Sequence, residues 1–208
     1  MSIVLPMLAG LARARQIEKD YRPFLYLICA GFASDAAGIW LAYHRGSNLV
    51  LYNFFSLAEA VLILWQFKRW GIFKKRSWFY FVLITIIGIA WVADSLVFHD
   101  INADVNSYFI IISSFIIILS GIYLLTDRMF VTTDGLFKDS VFLINLAFII
   151  YFLYSLVVEI FWIYGLGEST QFRIWVLGIF VYINLFTNCI FAFAILCMRT
   201  KPRYMVQW

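Results

Sequence analysis

Charge is scarce in this chain. Only 13% of its 208 residues are Asp, Glu, Lys or Arg, against roughly a quarter in a soluble globular domain, so the polar surface that keeps a protein in water is missing. Histidine is scarcer still. His44 and His99 are the only two, and both fall at outer ends of apolar stretches. A haem bundle needs His or Met ligands inside the membrane, and no buried histidine pair exists. A catalytic zinc wants about three protein ligands; His44 and His99 with Asp94 or Asp100 supply them only if two loops meet. No lysine occurs in a late apolar span, which excludes a retinal Schiff base. No Ser-His-Asp set, phosphate loop or Cys-x-x-Cys motif is present. No metal, cofactor or catalytic residue is therefore assigned, and an intramembrane enzyme would have to work with carboxylates alone.

Cysteine and proline add two further exclusions. Cys29, Cys189 and Cys197 all lie in apolar spans, away from outer loops where an oxidising compartment pairs thiols. They read as small packing residues. Apart from Pro23 at a helix start, no proline falls in a long span, so proline kinks are not part of the design.

What fills the chain is apolar: 64% hydrophobic and 20% aromatic residues. Stretches of about 20 apolar residues, the length that crosses a bilayer, recur at Pro23–Tyr43, Asn48–Phe67, Ser77–Phe98, Asn106–Thr126, Asp139–Gly165 and Thr170–Arg199. The last two exceed what a bilayer needs, which predicts tilt or projection into water. Short connections make sequence neighbours antiparallel neighbours. No polar segment is long enough for a separate soluble domain. The segment Met1–Ala12 is uncharged and then meets Arg13 and Arg15. A signal peptide carries its charge before the apolar run, and an interfacial helix carries a charged face. The favoured reading is a short first span reaching about Ile17, with six spans and a surface-lying segment as the alternative. The expected fold is an all-α integral membrane protein: one domain over 1–208, a seven-helix transmembrane bundle, N-out/C-in, multi-pass in the inner (cytoplasmic) membrane.

Sidedness comes from the basic residues. Every lysine and arginine except Arg45 and Arg173 falls in alternate connections: Arg13, Arg15, Lys19 and Arg22; Lys68, Arg69, Lys74, Lys75 and Arg76; Arg128 and Lys138; Arg199, Lys201 and Arg203. That is the positive-inside pattern. The net charge of +4 is then a topology signal and no evidence for nucleic-acid binding.

Against this background Asp35, Glu59, Asp94 and Glu159 stand out, because they lie within apolar spans with no lysine or arginine at their depth. A charge in lipid is costly, so an intramembrane acid faces a protein interior or water. Counting about 1.5 Å per residue puts Asp35 and Glu59 near the midplane of adjacent antiparallel helices. Asp94 and Glu159 fall in the outer parts of theirs. Small residues flank Asp35 (Gly31, Ala33, Ser34, Ala37, Gly38), as expected where helices pack closely in lipid. Asn53 and Ser56 precede Glu59, Ser155 precedes Glu159, and Asn184, Thr187 and Asn188 mark the last helix. Each carboxyl has two open roles. It can be protonated and clamp helices together, or ionised beside a wet cavity where it exchanges a proton or cation. A polar cavity graded from the outer face to the bilayer centre is expected.

The connection Lys68-Arg69-Trp70-Gly71-Ile72-Phe73-Lys74-Lys75-Arg76 mixes basic and aromatic residues. It suits an interfacial belt on anionic lipid, or a docking surface for a soluble cytoplasmic partner that the tail Arg199–Trp208 extends.

Two stretches carry a family resemblance. Asn48-Leu-Val-Leu-Tyr52-Asn53-Phe-Phe-Ser56-Leu-Ala-Glu59, and Asn184-Leu-Phe-Thr-Asn188-Cys-Ile-Phe-Ala-Phe-Ala with its basic tail, resemble helices of small polytopic membrane proteins of unassigned function common in Bacteroidota. The resemblance implies a seven-helix-like bundle and no reaction. Proteins of this build also stand beside bacterial defence nucleases, including some type VI CRISPR loci, so it further implies a membrane accessory role in bacterial defence.

Three functions follow as expectations. The first is a non-enzymatic sensor, channel-like or assembly component, in which oligomers are open. The second is a proton- or cation-coupled transporter using Asp35 and Glu59, weakened by the absence of an evident internal repeat. The third is a lipid-modifying enzyme with paired carboxylates as acid and base. The sidedness is directly testable. A cysteine placed at Ser47 should react with a membrane-impermeant maleimide in intact cells, and one at Lys75 only after permeabilisation. Labelling of both from outside overturns the assignment.

Overall fold

Each of the six apolar stretches folds as one long helix, and a short helix precedes them. The computed structural model describes residues 2–98, 100–102, 104–131, 138–164 and 170–198. The order is α1 (Val4–Arg13), a 3-10 turn (Lys19–Tyr21), α2 (Arg22–Arg45), α3 (Leu49–Arg69), α4 (Ser77–Ala93) running into a π turn (Asp94–Phe98), α5 (Ser107–Val131), α6 (Ser140–Ile163) and α7 (Thr170–Cys197). Local chemistry sets several ends. Pro23 sits in the first turn of α2, where its missing N–H costs nothing. Gly46 closes that helix at φ 74°, the left-handed cap that glycine adopts without strain. Asp139 caps α6 by accepting from the Val141 N–H at 3.0 Å, as a short acidic side chain does at a helix start.

All six long helices are long and apolar enough to cross a membrane. The chain is a multi-pass membrane protein, and the regular elements among its described residues are helices. α1 is different. Its ten residues span about 15 Å at 1.5 Å each, half of a hydrocarbon core. It runs parallel to the end of α7: the Asn188 amide donates to Ser2 Oγ at 2.8 Å, and Arg13 donates to the carbonyls of Ile195, at 2.8 Å, and Leu196. A cation on the last carbonyls of a helix satisfies groups with no partner inside it.

The helices form a closed ring in the order α1, α2, α3, α5, α6, α7, with α4 outside between α3 and α5. α1 fills the gap between α2 and α7. Its fit is tight at Gly31, where any Cβ would stand 2.5 Å from Ile3 Cδ1. Cys29 Sγ meets Met7 Sδ at 3.7 Å across the same seam. Of the cysteines expected to pack, Cys197 is half-buried against the core, whereas Cys29, apart from its Met7 contact, and Cys189 are exposed, where a small apolar thiol meets lipid as readily as protein.

The half of the ring nearer the basic connections is sealed by aromatic rings. Phe24 lies 5.2 Å from Phe191 and 6.1 Å from Phe148, and Phe148 lies 5.4 Å from Phe191 and 6.2 Å from Phe67. These edge-on arrangements place positive ring edges on negative faces. Phe24 and Phe67 are completely buried.

Side-chain amides then pin helix to helix. Gln66, fully buried, accepts from the Phe24 N–H at 2.8 Å and donates to the Asp20 carbonyl at 2.7 Å. Asn145 donates to the Gly121 carbonyl at 2.7 Å, which requires glycine there because a Cβ would lie 2.9 Å from Asn145 Oδ1. Replacing Gln66 with Ala leaves a helix N–H and a carbonyl unpaired at about 1–3 kcal/mol each. Gln66→Ala should therefore lower the thermal midpoint in detergent by several degrees, read by circular dichroism. An unchanged midpoint removes the clamp.

Candidate functional site

Asp35 and Glu59 reach one cavity from two helices. Asp35 on α2 and Glu59 on α3 line a space of about 90 Å³, together with Tyr151 and Phe152 of α6, Asn184, Thr187 and Asn188 of α7, and Ile3 at the start of α1. Its floor toward the basic end is Leu27, Ile28, Phe148 and Phe191, the upper face of the aromatic seal. The size decides what fits. A site for an organic ligand occupies about 300–1,000 Å³, whereas a water needs at least about 10–15 Å³ of such space. The cavity suits a few waters or a small cation.

Glu59 also borders a second space of about 30 Å³, with Tyr52, Ser56, Ser113, Tyr151, Phe152 and Ser155. Glu59, Phe55, Tyr151 and Phe152 belong to both. Glu159, one helical turn beyond Ser155 on α6, lines neither space. A file of hydroxyls and carboxyls thus extends from Asp35 through Glu59 to Ser155, all on the side of the aromatic seal away from the basic connections. Every member can both accept and donate a proton in one of its states.

Asn53 and Asp94 are placed elsewhere. Asn53 is fully buried and ties α3 to the α4–α5 connection. Its amide donates to the carbonyls of Asp104 at 2.9 Å and Ile101 at 3.3 Å, and its Oδ1 accepts from the Asn106 N–H at 3.1 Å. Its own carbonyl accepts from Trp91 Nε1 at 2.8 Å and Ser56 Oγ at 2.9 Å. Asp94, 1% exposed, accepts from the Phe109 N–H at 2.7 Å. That places a carboxylate at the positive end of α5. Nearby, Asn106 Nδ2 donates to Ser95 Oγ at 2.6 Å. Neither Asn53 nor Asp94 lines the cavities.

Geometry explains the difference. At 100° per residue, Asn53 and Glu59 point about 120° apart on their helix, whereas Tyr52 and Glu59 are only about 20° apart. Tyr52, Ser56 and Glu59 form the stripe that faces the site. On α6 the run Tyr151, Ser155, Glu159 at successive i, i+4 steps is the same signal. Tyr52, Tyr151 and Ser113 are the site residues that sequence reasoning missed. On α7, Thr187 and Asn188 are buried, and Asn188 also donates to Asn184 Oδ1 at 2.7 Å.

The basic connection after α3 divides. Lys68 Nζ stands over the Tyr80 ring at 4.2 Å from its centroid. Arg69 pairs with Asp20 at 3.6 Å, and Lys74 folds against Gly71. Lys75 and Arg76 border an apolar groove between α4 and α5. His44 donates to the Trp40 carbonyl at 2.9 Å and stacks on the Trp40 ring. His99, which a zinc site would have needed beside it, lies outside the described residues, as does the tail Arg199–Trp208.

Compared with known proteins, the chain matches no family model, no curated protein and no solved structure. The geometry carries the reading alone. It separates two classes of polar residue that a stability assay distinguishes. Asp94→Ala and Asn53→Ala each remove caps or clamps worth about 1–3 kcal/mol and should lower the thermal midpoint. Asp35→Asn, at a cavity wall where the side chain is exposed, should leave it within a degree or two. Equal losses in all three would make Asp35 another clamp.

Proposed function

We propose that this is a non-enzymatic, inner-membrane protein in which Asp35 and Glu59 form a binding site for a proton or small cation that governs how the bundle packs. The protein is oriented with its basic connections and C-terminus in the cytoplasm, so the site is reached from the outer side. The observation that carries this reading is the position of Glu59, bordering two water-sized cavities at once with Asp35 on the wall of the larger. A carboxyl between two such spaces exchanges its proton with either. The aromatic seal below, built on Phe24, Phe67, Phe148 and Phe191, favours a sensor or a gated conductor over an open channel. The small volume speaks against lipid-modifying chemistry, which needs room for a headgroup. The half-length α1 acts as a wedge between α2 and α7, with Ile3 on the cavity wall, so a change of charge at the site bears directly on that wedge.

A second reading, proton- or cation-coupled transport, is favoured by the hydroxyls that continue from Glu59 to Ser155, one helical turn before Glu159. One experiment separates them. Protein reconstituted in vesicles with a trapped pH dye is subjected to a pH step, while intrinsic tryptophan fluorescence reports conformation. A sensor gives a fluorescence change without net flux, abolished in Glu59→Gln and weakened in Asp35→Asn. A transporter gives dye response as well, lost in the same variants. Signals identical to wild type in both variants sink both readings.

A further inference from the structure

Between α4 and α5, at the basic end and away from the carboxylates, runs a groove of about 550 Å³. Its walls are Phe79 and Leu83 on α4, Ile116 and Leu119 on α5, and its mouth carries Lys75 and Arg76. We propose that this groove binds one anionic phospholipid, the headgroup phosphate at Lys75 and Arg76 and an acyl chain along Leu83, Ile116 and Leu119.

Three observations support this occupant. The first is charge complementarity. Lys75 and Arg76 stand together at the mouth, and among the described residues neither pairs with a carboxylate, in contrast to Arg69 with Asp20 and Arg128 with Asp139. The second is the helix behind them. Arg76 is the N-cap residue of α4 and no side chain caps that helix, so its first-turn N–H groups and positive dipole end lie beside the cations, as in phosphate sites generally. The third is the shape. From Ser77 to Leu83 the groove deepens by about 9 Å along α4, so the polar mouth lies at the level of the basic connections and the apolar floor extends toward the bilayer centre. A soluble protein could reach the mouth but not that floor. The volume also lies within the roughly 300–1,000 Å³ of sites that hold a small organic molecule.

Phe73 anchors the arrangement. It is buried and packs 5.7 Å from Tyr80 and 6.2 Å from Phe79 by ring centroids. That fixes the chain just before the two cations and aims them at the groove. Lys74 is turned aside onto Gly71, which makes it an internal control.

The test uses the full chain in nanodiscs of zwitterionic phosphatidylcholine, titrated with fluorescent phosphatidylglycerol and read by energy transfer from the protein's tryptophans. Phosphatidylglycerol should bind saturably and phosphatidylcholine of the same label should not. The double variant Lys75→Gln/Arg76→Gln should weaken binding by about thirtyfold, from roughly fivefold per basic residue at a lipid surface. Lys74→Gln should change it least. Ile116→Trp, which fills the groove with both charges intact, should also weaken binding. Equal binding of the two lipids overturns the proposal. So does loss in the charge variant without loss in Ile116→Trp, which would leave only a general basic surface for lipid or a soluble partner. Displacement by free glycerol phosphate as effective as by the lipid would assign the mouth to a soluble anion instead. Should the double variant fail to fold, Ile116→Trp and the salt dependence of wild-type binding decide: binding unaffected by either rejects the groove.

Discussion

A polar group buried in hydrocarbon has no water to fall back on, and this bundle is organised around that constraint. Backbone groups are satisfied within helices, but the ends of helices and every polar side chain need partners from elsewhere. Gln66 serves the start of α2, Asp94 the start of α5, Arg13 the end of α7, and Asn53 the connection between α4 and α5. Each bond joins segments distant in sequence. The interactions that relieve unsatisfied groups are therefore the same ones that fix which helices are neighbours. Between helices, lipid supplies no hydrophobic drive of its own, so these few polar contacts and close approaches such as Gly121 against Asn145 weigh more than in a water-soluble bundle.

The same constraint sets the carboxylates apart. Asp94 is used up in holding a helix end. Asp35 and Glu59 instead border open space, with hydroxyls of Tyr52, Tyr151, Ser56 and Ser155 around them. The aromatic seal separates the two cavities from the basic end of the bundle. The short α1 begins at the level of the larger cavity, with Ser2 on Asn188 and Ile3 against Gly31. Site, seal and wedge are thus one assembly, in which the state of a carboxyl and the seating of α1 are mechanically adjacent.

Much of this architecture was legible in the residues. The six long helices begin and end within a few positions of the apolar stretches, because length and hydropathy of a spanning segment are imposed by the bilayer itself. The positions of Asp35 and Glu59 along their helices followed from counting, since rise per residue is constant. What counting along a helix did not reveal was rotation. Asn53 and Tyr52 are neighbours in sequence and equally polar in pattern, yet one faces a loop and the other a cavity. Gln66, Asn106 and Asn145 passed unnoticed because a lone amide in an apolar run has no periodicity to betray it. Asp94 resembled the other acids because a cap that acts on a helix start fifteen residues downstream leaves no local signature.

The sequence by itself determined the class of protein, the number and placement of its long helices, the end at which its positive charge gathers, and the position of each acid along its helix. These depend on composition, segment length and the fixed rise of a helix, all of which are local. Only the tertiary structure decided which acids share a cavity, which polar residues are clamps, that the first helix is a half-length wedge, and that Lys75 and Arg76 border a groove while Lys74 does not. Those outcomes depend on how each helix is turned about its own axis and what it meets there. That turning is set by contacts between segments far apart in the chain, and no periodicity within one segment records it.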